Sequence, residues 1–136
     1  MNRNHIFIDT NILIGACVGK QDDMLCLRYL YSLTGKKLYV SSLSISQFVS
    51  VMQKKMDNDV IRDKVKYWLK KFNIISFQKE DIEKSLMFEN TDIEDNIQYV
   101  IGCKLNCYYF ITNNKKDYKF LNIESLKPKE VRLIKR

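Results

Sequence analysis

The sequence predicts a single α/β domain over residues 1–136, with a mainly parallel central sheet of four to five short strands flanked by helices. Three observations predict it. Short apolar runs alternate with segments whose apolar residues recur at helical spacing, the pattern of strand–helix units and of a parallel sheet covered on both faces. The chain has 136 residues, enough to bury roughly 65–70% of its unfolded surface in one core and too few for two ordinary domains. Hydrophobic residues make up 46% and charged residues 29%, with one Pro and four Gly, which excludes a disordered tail, a coiled-coil rod or a Gly/Pro-rich linker.

Each element has a local reason. His5–Ile8 is an apolar run ending at Asp9-Thr10, a buried strand passing into a helix over Asn11–Val18 that Asp9 or Thr10 caps. Met24–Leu33 carries Met24, Leu27, Leu30 and Tyr31 at helical spacing after the polar stretch Gln21–Asp23, and Gly35 is positioned to close that helix. Leu38–Val40 is the second strand. Leu43–Met56 and Asp59–Phe72 are two helices broken at Asp57-Asn58, the second burying Ile61, Val65, Trp68, Leu69 and Phe72. Asn73–Phe77 is the third strand and Asp81–Phe88 a short helix. Asp92–Leu105 is a longer one with Ile97, Val100, Ile101 and Leu105 inward and Gly102 allowing close packing. Tyr108–Ile111 is the fourth strand, and Thr112–Asp117 a polar turn. Ile123–Leu126 reads as a last strand, and the segment after Pro128 as either a terminal helix or, at Val131–Ile134, another strand.

In parallel sheets ligands bind beyond the carboxyl ends of the strands. Three strands here run into polar residues at that edge: Asp9-Thr10-Asn11, Ser41-Ser42 and Thr112-Asn113-Asn114. Asp92 and Asp95 open a helix beside them. Asp9, directly after an apolar strand, needs a partner or a capping role to offset desolvation, and Asp92 and Asp95 also have an ordinary explanation in the positive end of a helix. Several carboxylates sharing one edge repel, and a divalent cation relieves that repulsion; Mg²⁺ or Mn²⁺ takes carboxylate oxygens and retains waters.

Charge supports a polyanionic partner. The net charge is +7, yet Lys79–Asp95 alone carries −5, so the rest of the chain carries +12. Such a balance suits a phosphate-rich polymer approached through a cation-loaded pocket, and equally a soluble protein with solvated charged helices. The four cysteines form no CxxC motif; Cys103 and Cys107 are read on one helical face, and buried reduced thiols are favoured over a zinc site. No apolar run reaches the ~18 residues of a membrane helix, and the start lacks a small-residue cleavage site, so a cytoplasmic protein without a membrane partner is expected.

The residues are also familiar. Ile6-Phe7-Ile8-Asp9-Thr10-Asn11-Ile12-Leu13 resembles the first strand and helix of PIN domains. Asp92-Ile93-Glu94-Asp95-Asn96-Ile97-Gln98 resembles that family's third acidic segment, and Tyr108–Tyr118 its last. Order and intervals agree over nearly the whole chain, and the length is that of the VapC-type toxins of bacterial toxin–antitoxin pairs. The resemblance implies a Mg²⁺- or Mn²⁺-dependent endoribonuclease site. Asp9, Asp95 and Asp117 would be catalytic and metal-binding, Asp92 an accessory metal acid, and Asn11, Thr112 and Asn114 groups that orient the carboxylates. It also implies an RNA substrate, an antitoxin partner and, with the apolar faces of Met24–Leu33 and Leu43–Phe72, a homodimer or antitoxin groove.

One position departs from the pattern. The family's second acid is a Glu in the helix after the second strand, where this chain has Gln47. Its amide carries no negative charge, so weaker metal affinity and reduced activity are expected, and a non-catalytic RNA- or protein-binding module is the alternative. Lys54, Lys55, Lys115, Lys116 and Lys119 are candidates to track an RNA backbone, Lys115 and Lys116 above the others. Tyr108, Tyr109 and Tyr118 are stacking candidates, the first two read more readily as core. A nucleotide-binding switch is disfavoured because no GxxxxGK[ST] or GxGxxG loop occurs.

Overall fold

The apolar run near the amino terminus becomes the middle strand of the sheet, and that placement organises everything else. The computed structural model describes residues 2–89, 92–118 and 124–135, with backbone alone for Asp117 and Tyr118. Five strands, β1 (Asn2–Ile8), β2 (Lys37–Ser41), β3 (Asn73–Ile75), β4 (Cys107–Ile111) and β5 (Glu124–Leu126), lie in the order β3-β2-β1-β4-β5. Every pairing is parallel. The expected mainly parallel sheet flanked by helices is therefore what the chain forms.

Alternation along β1 divides the interior in two. Ile6 and Ile8 enter one core with α1 (Thr10–Cys17), α2 (Gln21–Tyr31), α3 (Ser42–Met52) and α4 (Asn58–Lys71). Phe7 points the other way, stacked on Phe110 with ring centroids 5.0 Å apart, and joins Ile97 and Ile101 of α6 (Ile93–Lys104). The short α5 (Lys79–Ser85) is tied to α6 by Lys104 Nζ, 2.9 Å from the buried Asp81 carboxylate. Period-2 burial on a central strand is the expected signature of a sheet covered on both faces.

Several boundaries differ from the sequence reading, each for a physical reason. β1 starts at Asn2 because its N–H reaches Asn106 O at 2.7 Å. α2 begins at Gln21, not Met24: Asp22 and Asp23 sit in its first turn, where carboxylates complement the helix dipole. Cys26 then turns inward while Met24 is exposed. Gly35 does not close that helix, which ends at Tyr31 with Ser32 as its cap; Gly35 (φ +72°) shapes the bend into β2 instead. α3 stops at Met52, β3 covers only Asn73–Ile75, and Leu69 projects outward at 55% exposure.

Cys107 lies in β4 and Cys103 is exposed on α6, so they share no helical face, and the buried-thiol reading holds for Cys26 and Cys107 but not for Cys103. All four thiols are free. Gly102 is less crowded than expected, since a Cβ there would meet Phe110 at an ordinary 3.5 Å. Tyr108 and Tyr109 are half-buried: Tyr109 packs on the larger core, whereas Arg3 lies over the Tyr108 ring at 4.8 Å. After Pro128 the chain forms a 3₁₀ helix (Pro128–Leu133) rather than a strand. Lys119 and Ile123 lie outside the described residues, as do the side chains of Asp117 and Tyr118. Among the described residues no helix is long and apolar enough to cross a membrane.

Candidate active site at the carboxyl edge of the sheet

Because β1 sits between β2 and β4, the residue that follows it is delivered to the centre of the carboxyl edge. Asp9 occupies that point and is 5% exposed. It caps α1, Oδ1 accepting from Thr10 N at 2.8 Å, so the capping reading is correct in geometry. Its second oxygen does more. Oδ2 accepts from Thr112 Oγ1 at 2.8 Å, across from the end of β4, and from Asn11 Nδ2 at 3.1 Å.

Thr112 is itself held by the loop beyond it. Its backbone N–H bonds Leu126 O, and its hydroxyl oxygen accepts from Asn114 N at 3.0 Å. Asn11 Oδ1 accepts from Asn113 N at 3.2 Å, closing the ring between the starts of α1 and the β4 loop. Asn11 and Thr112, the residues expected to orient the carboxylates, both donate to Asp9 Oδ2, and Asn114 contributes its backbone N–H to Thr112.

On the other side, Asp92 caps α6, accepting from Asp95 N at 3.0 Å, which turns the first turn of that helix toward Asp9. Asp9, Gln47, Asp92, Glu94, Asp95 and Asn114 line one open cleft of about 400 Å³. Burial pushes the Asp9 carboxyl above the usual range; the Thr112, Thr10 and Gln98 donors pull it back in part, and the Asp92 charge pushes it up further. No ion pair among the described residues involves Asp9. Asp117 falls in a 3₁₀ turn, Lys115–Tyr118, with its side chain outside the described atoms.

A shared arrangement of fold and sequence emerges from comparison. No family model matches the chain. Ribonuclease VapC1 of Aquifex aeolicus (strain VF5) is 27% identical over 127 residues, covering 87% of this chain and 87% of that protein. A toxin–antitoxin complex from Klebsiella pneumoniae matches with a TM-score of 0.71 at 20% identity, over 90% of this chain and 97% of that one. VapBC-1 from nontypeable Haemophilus influenzae matches at 0.73 and 13% identity, over 92% and 98%. The chain has the fold of these toxin–antitoxin proteins and is similar in sequence to ribonuclease VapC1.

Beneath the cleft the chain carries a buried polar floor that the sequence reading did not identify. Ser41 Oγ, at the end of β2, donates to Gln98 Oε1 at 2.7 Å; Gln98 Nε2 donates to Ser44 Oγ at 2.8 Å and to Thr10 Oγ1 at 3.2 Å. Ser41, Ser44 and Gln98 are all fully buried or nearly so. The floor links β2, α3, α6 and α1, so the elements bearing Asp9 and Asp95 share one hydrogen-bond network. The signal was faint: Gln98 follows Asp95 by three residues, on the same helical face.

Gln47 and Lys115 each have partners within the fold. The Gln47 carbonyl accepts from Thr10 Oγ1 at 2.6 Å, while its amide nitrogen donates to Glu94. Lys115 Nζ lies 3.1 Å from both carboxylate oxygens of Glu130, which engages it with the carboxyl-terminal 3₁₀ helix. Lys116 is exposed.

Proposed function

We propose that this chain is a divalent-cation-dependent endoribonuclease that cleaves RNA phosphodiester bonds, the toxin of a toxin–antitoxin pair. The observation that carries the reading is the placement of Asp9: a carboxylate buried at the end of the central strand, held by neutral donors alone, facing a cleft that Asp92 and Asp95 also line. Burying a charge so expensively without a cationic side chain is a poor structural device and a sound way to hold a hard cation.

Among the described residues no three His, Cys, Asp or Glu side chains converge as a closed metal cage. Mg²⁺ does not need one, since it keeps several waters and binds through one or two carboxylates. Asp9 and Asp95 would hold it, with Asp92 and Asp117 assisting. When bound, such a cation neutralises charge on the scissile phosphate and acidifies a water. The chain's own part is to fix Asp9 through Thr112 and Asn11, to place Asp95 where its carboxylate accepts a proton from the attacking water, and to draw the RNA backbone by Lys116, Lys54 and Lys55. The resemblance to toxins of antitoxin complexes supports a protein antitoxin as partner, and the exposed Met24, Leu25, Val51 and Leu69 are apolar surface available to it or to a second copy.

RNA cleavage in Mn²⁺ by wild type, Asp9→Asn and Asp95→Asn tests this. Cleavage by the wild type that both variants lose is expected. Retained cleavage in Asp9→Asn rejects the site, and RNA binding without cleavage by the wild type establishes the binding-module alternative.

A further inference from the structure

Position 47 holds a Gln where the family this chain resembles has a Glu, and the structure brings a carboxylate to it. Gln47 is on α3 and Glu94 on α6, far apart in sequence, yet Gln47 Nε2 donates to Glu94 Oε2. The orientation of the amide is set by the Glu94 end and is compatible with the Thr10 end. Its oxygen accepts from the Thr10 hydroxyl at 2.6 Å, and a carboxylate can only accept, so the NH₂ must face Glu94. The Gln47 oxygen is thus engaged by Thr10 and its amide nitrogen by Glu94. Glu94 lines the cleft beside Asp9, Asp92 and Asp95.

We infer that Glu94 supplies, from α6, the negative charge that position 47 lacks, and that Gln47 is the positioning residue holding it over the cleft. The inference rests on the cation site proposed above and deepens it. A Glu at position 47 would set two carboxylates side by side, each disfavouring the other's ionisation; a neutral amide there removes the repulsion and offers a donor. The two positions form a complementary pair, a neutral donor on α3 and a carboxylate on α6, and both line the cleft. Glu94 also lies in the first turn of α6, where a carboxylate complements the helix dipole, but its side chain is exposed and no ion pair among the described residues involves it.

The test is Mn²⁺ affinity by calorimetric titration of the full chain, with thermal melts to confirm folding. Glu94→Gln should weaken Mn²⁺ binding about tenfold or more. The exchange Gln47→Glu/Glu94→Gln should restore it to within about threefold of wild type, a coupling that two independent surface residues would not show. Gln47→Met, which keeps the reach of the side chain but removes the donor, should weaken binding about fivefold, the worth of one ordinary hydrogen bond. Wild-type affinity in Glu94→Gln, or no recovery in the exchange, overturns the role of Glu94; wild-type affinity in Gln47→Met overturns positioning by Gln47. Asp9→Asn separates the two levels: if it binds Mn²⁺ as the wild type does, or if the wild type binds none, the cation site itself falls and Glu94 with it.

Discussion

The carboxylate of Asp23 rests on the bare Cα of Gly15: a Cβ at Gly15 would lie 1.6 Å from Asp23 Oδ2 and 2.7 Å from its Cγ. Asp23 is buried in the first turn of α2, Oδ1 accepting from Asn113 Nδ2 at 3.1 Å and Oδ2 having no hydrogen-bond partner. Asn113 N in turn donates to Asn11, which donates to Asp9. A residue that reads in the sequence as part of a polar stretch thus braces the loop that braces the site.

Gly15→Ala should destabilise the fold even though alanine is the better helix former by about 1 kcal/mol. The clash is with a buried carboxylate that must move, and overpacking of this kind costs about 1–3 kcal/mol. Urea denaturation measures it. Adding Asp23→Ala should recover most of the loss; an unchanged midpoint in Gly15→Ala would show that Asp23 yields freely.

Burial raises the Asp23 carboxyl above its usual range, with the Asp22 charge adding to that and the Asn113 donor and the Lys20 charge opposing it. The native state therefore keeps a proton that the unfolded chain has lost once the pH passes about 3.9. Stability contributed by this group falls as pH rises from there through the raised native value, and stays lower above it. Asp23→Asn removes the titration. Its melting temperature should gain on the wild type between pH 3.5 and pH 7; a gap that does not change with pH would contradict this.

Asp81 behaves oppositely. Burial would raise its carboxyl, but the Lys104 ammonium, the Gln78 N–H and the Lys84 charge together hold it below the ordinary range. Its contribution is present above the unfolded value and is lost as pH falls through the lowered native one. Asp81→Asn should cost about 1–3 kcal/mol at pH 7, and the difference from wild type should close in acid. Lys104→Met, at the solvent-facing end of the pair, should cost less.

Thr112→Val keeps the shape of the side chain and removes the hydroxyl that donates to Asp9 and accepts from Asn114 N. Loss of such an orienting group typically costs 10–100-fold in metal affinity or activity, so RNA cleavage should fall by about that much. Full activity would mean that Asn11 alone orients Asp9.

The strands were legible because each is an apolar run bounded by polar residues, and Asp9 was legible because a charge directly after such a run needs a reason. The start of α2 was hidden because Asp22 and Asp23 read as loop residues, although acids suit the first turn of a helix and Asp23 is buried there. Gln98 was hidden in the same way: a glutamine in mid-helix reads as solvent-facing until Ser41 and Ser44 are seen to satisfy it. Glu94 meeting Gln47 depends on the approach of α3 to α6, which no local spacing encodes.

The contacts of the last described turn give the carboxyl end of the chain a mechanical task. Tyr29 Oη donates to Ile134 O at 2.7 Å, and Glu130 grips Lys115 beside the segment bearing Asp117. Removing the segment from Lys127 onward would cut both tethers and slacken the rim of the cleft.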